Sequence, residues 1–331
     1  MNGRRAFWTA ALALAALAGL SLCLGRYPRP GLAAPWTLWA DGAARHVVCD
    51  LRLPRVLAAL MLGSALAGAG AALQMLFRNP LVEPGFLGVS QGAALGAGAA
   101  ILWLGGGAAA VQGLAAAGAV AGLGASWGVA RSLKYGGWTL RLLLSGIAVG
   151  AALSAGLGLM KALADPLRQL PDLTFWLMGG LWGANWSAVA RFAPLWGASM
   201  AVLWLMRWRV GLMALGDETA ASLGVAVRAE RLALLAAAAG ATAAVTALAG
   251  MVGWVGLLVP QVARRVAGAD SRRSLPMSML LGGGFALLCD DAARTLAPTE
   301  IPLGILTSLA GTVLFLRWMS CRAGPLAGGA P

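Results

Sequence analysis

From Pro84 to Ala130 the chain runs for 47 residues without a charged side chain. About 20 apolar residues cross the ~30 Å hydrocarbon core of a bilayer. A run more than twice that long reads as two membrane helices, with Gly105-Gly106-Gly107 as the hairpin between them. Further uncharged runs occupy 6–25, 56–77, 142–160, 173–190, 192–206, 232–263, 274–289 and 301–316. The run 232–263 also splits, near Gly250 and Gly253. The run 173–190, FWLMGGLWGANW at its centre, is rich in Gly and Trp and reads as an interfacial segment, because Trp favours the headgroup zone. Residues 6–25 follow Arg4 and Arg5, as in a signal peptide, but are long enough to span and read as a retained first helix. The expectation is an all-α integral membrane protein of about ten transmembrane helices, a single integral membrane domain over residues 1–331.

Composition agrees. The chain is 60% hydrophobic and 11% charged, against about 25% charged for a soluble domain. The formal net charge of +13 would point to nucleic acid in a soluble protein. Here arginines at helix ends account for it, and nucleic acid is not expected as a partner. Placing the N-terminus inside puts 16 of the 25 Lys and Arg residues on the cytoplasmic side, as the positive-inside rule requires. Ten spans then leave both termini cytoplasmic, in a bacterial inner membrane. Four scattered cysteines and one histidine, His46, define neither a disulfide framework nor a metal site.

One stretch resists the simple helix pattern. FRNPLVEPGFLGVSQGAALGA, 77–97, holds two prolines four residues apart, and proline breaks a helix interior. Irregular backbone at a membrane boundary is tolerated where protein or a water-filled cavity surrounds it. This stretch is therefore either a plain turn or part of a transport path.

With these residues in view, LRLPRVLAALMLGSALAGAGAALQMLFRNPLVEPGFLGVSQGAALG (51–96) closely resembles the signature of FecCD-type permeases, the membrane subunits of type II ABC importers for iron–siderophore, haem and cobalamin. Further matches follow in order: RLLLSGIAVG (141–150), WLMGGLWGANW (176–186), ALGDETAASLGV (214–225), VTALAGMVGWVGLLVPQVAR (245–264) and DDAARTLAPTEIPLGILTSLAGTVLF (290–315). The resemblance implies a cobalamin/iron-chelate permease-like bundle that works as a homodimer in the membrane lipid. It also implies two ATP-binding ATPase subunits, which hold ATP and Mg, and a periplasmic or lipid-anchored binding protein. This chain would then be no enzyme and would hold no cofactor or metal. Four departures stand out. Gln261 replaces a usual His, Ser271 stands where His is usual, Gly311-Thr312 replaces Gly-Ala-Pro, and Asp291 replaces an aliphatic residue.

By resemblance, the segment around 212–228, with Gly216, Asp217, Glu218, Ser222 and Gly224, is the helix that couples to the ATPase. From its residues alone it is a short capped helix or a surface loop. Arg52, Arg55 and Arg294 are expected at the external ends of their spans. The resemblance assigns them to docking of the binding protein; otherwise they anchor the helices, or Arg294 pairs with Asp290 at i−4. Asn79 and Leu81, and Trp138 and Thr139, match two cytoplasmic gates, though capping and interfacial anchoring explain them too. Gly146, Gly150 and Gly156 would line the pathway or simply pack. Asp290-Asp291 raises the alternative of a proton-coupled secondary transporter, against a satisfied ion pair with Arg294. The cargo, whether ferric siderophore, haem, cobalamin or an oxyanion such as molybdate, is not legible in the chain.

Overall fold

The computed structural model describes residues 3–25, 31–32, 42–134 and 136–320. Apart from one antiparallel pairing of two residues on each side, Leu24–Gly25 with Gly31–Leu32, the described chain is helical. The helices are α1 (Gly3–Cys23), α2 (Gly42–His46), α3 (Leu53–Leu76), α4 (Val89–Trp103), α5 (Ala108–Ser132), α6 (Trp138–Leu163) and α7 (Gln169–Met178). They continue as α8 (Trp186–Leu205), α9 (Arg207–Met213), α10 (Asp217–Ser222), α11 (Val227–Ala249), α12 (Val255–Ala267), α13 (Ser271–Thr295) and α14 (Leu303–Ser320). A π-helical stretch, Val47–Arg52, joins α2 to α3.

Six helices among the described residues are long and apolar enough to cross a membrane, and α4 and α14 are shorter apolar helices. Ten spans were expected, and length with apolarity does not establish that number. The reason is local. Helix α13 has 25 residues but carries Arg272, Arg273, Asp290, Asp291 and Arg294, and α12 has only 13. The uncharged runs divide as expected. The first breaks at 104–107 between α4 and α5, and the run 232–263 breaks at 250–254 between α11 and α12. Helix α7, with ten residues, reaches only about 15 Å and does not span.

Helix α3 is apolar all round, with Ala and Gly on every face, and such a helix belongs inside. It and α11 are the two mostly buried spans, while α1, α5 and α6 leave most of their surface exposed. Glycine sets the spacing. A methyl on Gly63 would lie 1.9 Å from the Gly282 carbonyl oxygen, and one on Gly282 would lie 2.2 Å from that of Gly63, so α3 and α13 touch backbone to backbone. A methyl on Gly92 would lie 2.1 Å from the Gly118 carbonyl oxygen and one on Gly96 2.0 Å from that of Leu114, so α4 and α5 also pack backbone to backbone. Close approach of small residues replaces the hydrophobic drive that lipid does not supply.

Candidate functional site

At one end of the bundle the turn after α3 closes with an unusual backbone. Phe77 N–H donates to Leu73 O and Asn79 N–H to Gln74 O, with Arg78 in the left-handed region at φ 50°. The Asn79 side chain accepts from Leu81 N–H at 2.9 Å, and Leu81 projects outward, 51% exposed. Pro84 then opens a 3-10 turn, Pro84–Leu87, which ends at Gly88 with φ 78°. The two prolines thus end one helix and seed the turn into the next. Glu83 is largely buried in this loop; burial pushes its carboxyl above the usual range, and a hydrogen bond from the Trp254 backbone pulls it back.

A buried amide network holds the loop. Gln74 donates to the Gly256 and Leu257 carbonyls at 3.2 and 3.0 Å. Gln261 donates to the Pro80 carbonyl at 2.8 Å and to Gln74 Oε1 at 3.3 Å, and Arg264 also donates to Gln74 Oε1. The Gln261 departure therefore has a structural role: it fixes the expected gate loop. Sequence reasoning missed Gln74, whose only signal was a lone amide in an otherwise apolar helix.

The coupling-type segment lies beside this loop. Gly216 takes φ 114° and Gly224 takes φ 79°, conformations open to Gly, and they bracket α10. Ala220 is fully buried and anchors it. Asp217 pairs with Arg231 of α11, and Arg209 of α9 pairs with Glu230 at 3.3 Å. Ser222 Oγ donates to Thr219 O at 2.9 Å. Glu218 and Ser222 are exposed. So are Leu215 and Leu223, at 59% and 54%, two apolar residues that flank the short helix and that the sequence reading passed over. Arg78 ties the two elements: its Nη1 lies 3.7 Å from where a Gly216 side chain would begin.

Trp138 opens α6 and meets Trp127 of α5 edge to face, centroids 4.8 Å apart. Trp127, Trp138, Asp217 and Glu218 share one cavity of about 630 Å³. Thr139 follows on α6, half-buried.

The candidate pathway glycines Gly146, Gly150 and Gly156 each have neighbours within the chain. Gly146 faces the Phe86 carbonyl, Gly150 the Gln91 side chain and Gly156 Leu95, all within the same chain. The exposed side of α6 carries Leu140, Leu144, Ile147 and Leu159.

The arginines Arg52, Arg55 and Arg294 gather at the far end of α3, about 36 Å away by helix rise. They are engaged within the chain. Arg52 is buried and donates to Leu22 O at 2.8 Å. Arg55 bonds Asp290 at 2.9 Å and Glu300 at 2.8 Å. Arg294 lies 3.3 Å from Asp290 and pairs with Asp291, which also accepts from Ser21 Oγ at 2.6 Å. Arg52 and Arg294 are thus internal, and the Arg55–Glu300 pair reaches the rim. The same network gives Asp290 and Asp291 partners, including the ion pair between Asp290 and Arg294 that the spacing suggested. Among the described residues no cluster of His, Cys, Asp and Glu could hold a metal.

The profile of the FecCD transport family matches residues 12–322. The molybdate import system permease protein MolB of Haemophilus influenzae is 34% identical over 92% of both chains. The hemin transport system permease protein HmuU of Yersinia pestis is 38% identical over 87% of this chain and 86% of its own. A solved structure described as an inward-facing conformation of a metal-chelate type ABC transporter superposes with a TM-score of 0.88 at 32% identity, covering 96% of this chain and 99% of that one. By this profile and these relatives the chain belongs to the FecCD transport family.

Proposed function

We propose that the chain is the permease subunit of an ATP-binding-cassette importer, with α10 as the element that receives the ATPase stroke. One observation carries this reading. The segment Gly216–Ser222 lies beside both gate-like elements: Gly216 comes near Arg78 of the loop after α3, and Asp217 and Glu218 line the same cavity as Trp138. A push on α10 would reach both gates with no intervening element. Glu218, Ser222, Leu215 and Leu223 form its outward surface; Asp217, Gly216 and Gly224 hold its shape. In this reading the α10 end is cytoplasmic, as are both termini, and the Arg55–Glu300 end faces outward, where a binding protein delivers cargo. Two copies form the path, each with an ATPase subunit that binds ATP and Mg.

The cargo class is a metal chelate or an oxyanion, in line with relatives named for hemin and molybdate. Among metal chelates, ferric siderophore is the first choice. The test is reconstitution of this chain with its ATPase and binding protein in vesicles, with uptake of ferric siderophore, hemin and molybdate measured separately. ATP-dependent uptake of one supports the proposal. Uptake driven by a proton gradient without ATP would overturn it.

A further inference from the structure

The cavity that α10 shares with Trp138 also holds a cluster of cations that the transport reading does not use. Its walls are the last turn of α5, the first turn of α6 and the first turns of α10 and α11. Into it point four guanidinium groups, Arg131, Arg141, Arg228 and Arg231, and two indoles, Trp127 and Trp138, in about 630 Å³. Against these four cations stand two acids, Asp217 and Glu218, and Asp217 is already taken by Arg231. Arg131 and Arg141 stack over Trp127 and Trp138 at 5.5 and 5.8 Å. That contact positions a guanidinium without neutralising it. The Nε atoms of Arg141 and Arg231 are shut off from solvent with no acceptor among the described residues. Buried donors of that kind have a partner in nearly every native protein.

We propose that this chamber binds the phosphate headgroup of an anionic phospholipid. The helix faces favour a lipid over free phosphate. One turn from Arg141 along α6 is Leu144, then Ile147, exposed at 49% and 54%; seven residues before Trp127 on α5 is Val120, exposed at 66%. Aliphatic tracks thus run from the chamber toward the middle of two spans, where acyl chains would lie. Basic pockets between membrane helices at the cytoplasmic side take anionic headgroups in this way. The occupant would brace α10 against α6, so that anionic lipid tightens the link from coupling segment to gate. The binding site itself does not depend on the proposed transport function.

The test uses the whole permease–ATPase complex in phosphatidylcholine nanodiscs containing phosphatidylglycerol, with retained lipids counted by native mass spectrometry. Wild type keeps phosphatidylglycerol in preference to phosphatidylcholine. Arg131→Gln with Arg228→Gln binds it roughly tenfold more weakly, and inorganic phosphate fails to displace it from wild type. Equal retention by wild type and variant would overturn the proposal. Displacement by inorganic phosphate would make this a free-anion site and overturn the lipid assignment. Loss of the ATPase from the variant with lipid still bound would show a protein contact instead.

Discussion

Gln261 occupies a position where the family usually has histidine, yet its amide does definite work: it closes the gate loop by donating to Pro80 O at 2.8 Å. Gln261→Ala leaves that carbonyl and Gln74 with fewer partners, and each lost buried hydrogen bond costs about 1 kcal/mol. Thermal unfolding in detergent should fall by a few degrees, and ATP hydrolysis without cargo should rise as the loop loosens. Unchanged melting and unchanged basal hydrolysis would count against the clamp. The arginines pose a different question. Arg294→Ala strands Asp291 and half of Asp290, both buried; removing one member of a buried pair costs about 3–5 kcal/mol. Arg294→Gln with Asp291→Asn should recover much of the loss, since no uncompensated charge remains. If the Arg294 variant instead melts like wild type and loses only binding-protein capture, docking is the better account.

Helix α10 has six residues, too few to be stable alone, so its shape depends on Ala220 below and Arg231 beside it. Its outer face should be replaceable without unfolding the permease. Leu215→Asp with Leu223→Asp should weaken ATPase association by tenfold or more, as loss of apolar anchors at an interface does, while the permease inserts and melts normally. Co-purification of the ATPase in wild-type amount would exclude those leucines from the interface. Helix packing gives a second test. Gly92→Val would drive a side chain into the Gly118 carbonyl, 2.1 Å from the first added carbon, and overpacking costs about 1–3 kcal/mol. A thermal melt reads it directly.

Much of this was legible in the sequence. Uncharged runs located most of the long helices and both hairpin breaks, and the family-like blocks marked the loop after α3 and the segment 214–225. What stayed hidden was long-range. Pro80 and Gln261 lie 181 residues apart, and Arg55 and Asp290 lie 235 apart; neither pairing leaves a local periodicity. The glycines of α6 are ambiguous for a related reason: a glycine face is the same string whether it borders a pathway or a neighbouring element, and the packing of the Pro84–Leu87 turn on Gly146 leaves no trace in the sequence.

Among the apolar faces that the chain's own packing leaves exposed are the second half of α6, with Leu159 and Leu163 beyond the acyl track of Leu144 and Ile147, and α14, with Ile305, Leu309, Val313 and Leu314. Lipid could cover both, but a transport path cannot be built from lipid on one side. Two chambers among the described residues, about 500 and 630 Å³, lie toward opposite ends of the bundle. A second copy set against α6 and α14 would supply the missing wall, and each copy brings one coupling segment. The complex should therefore contain two permeases and two ATPases, with no second kind of permease. Native mass spectrometry of the purified complex reads this stoichiometry. Aspartate at Leu159 and Leu309, both 62% exposed, should split the dimer if these faces form the interface, whereas a lipid-facing role predicts poor insertion with any inserted permease still dimeric. A complex holding one permease copy would remove the basis for a path between two of them.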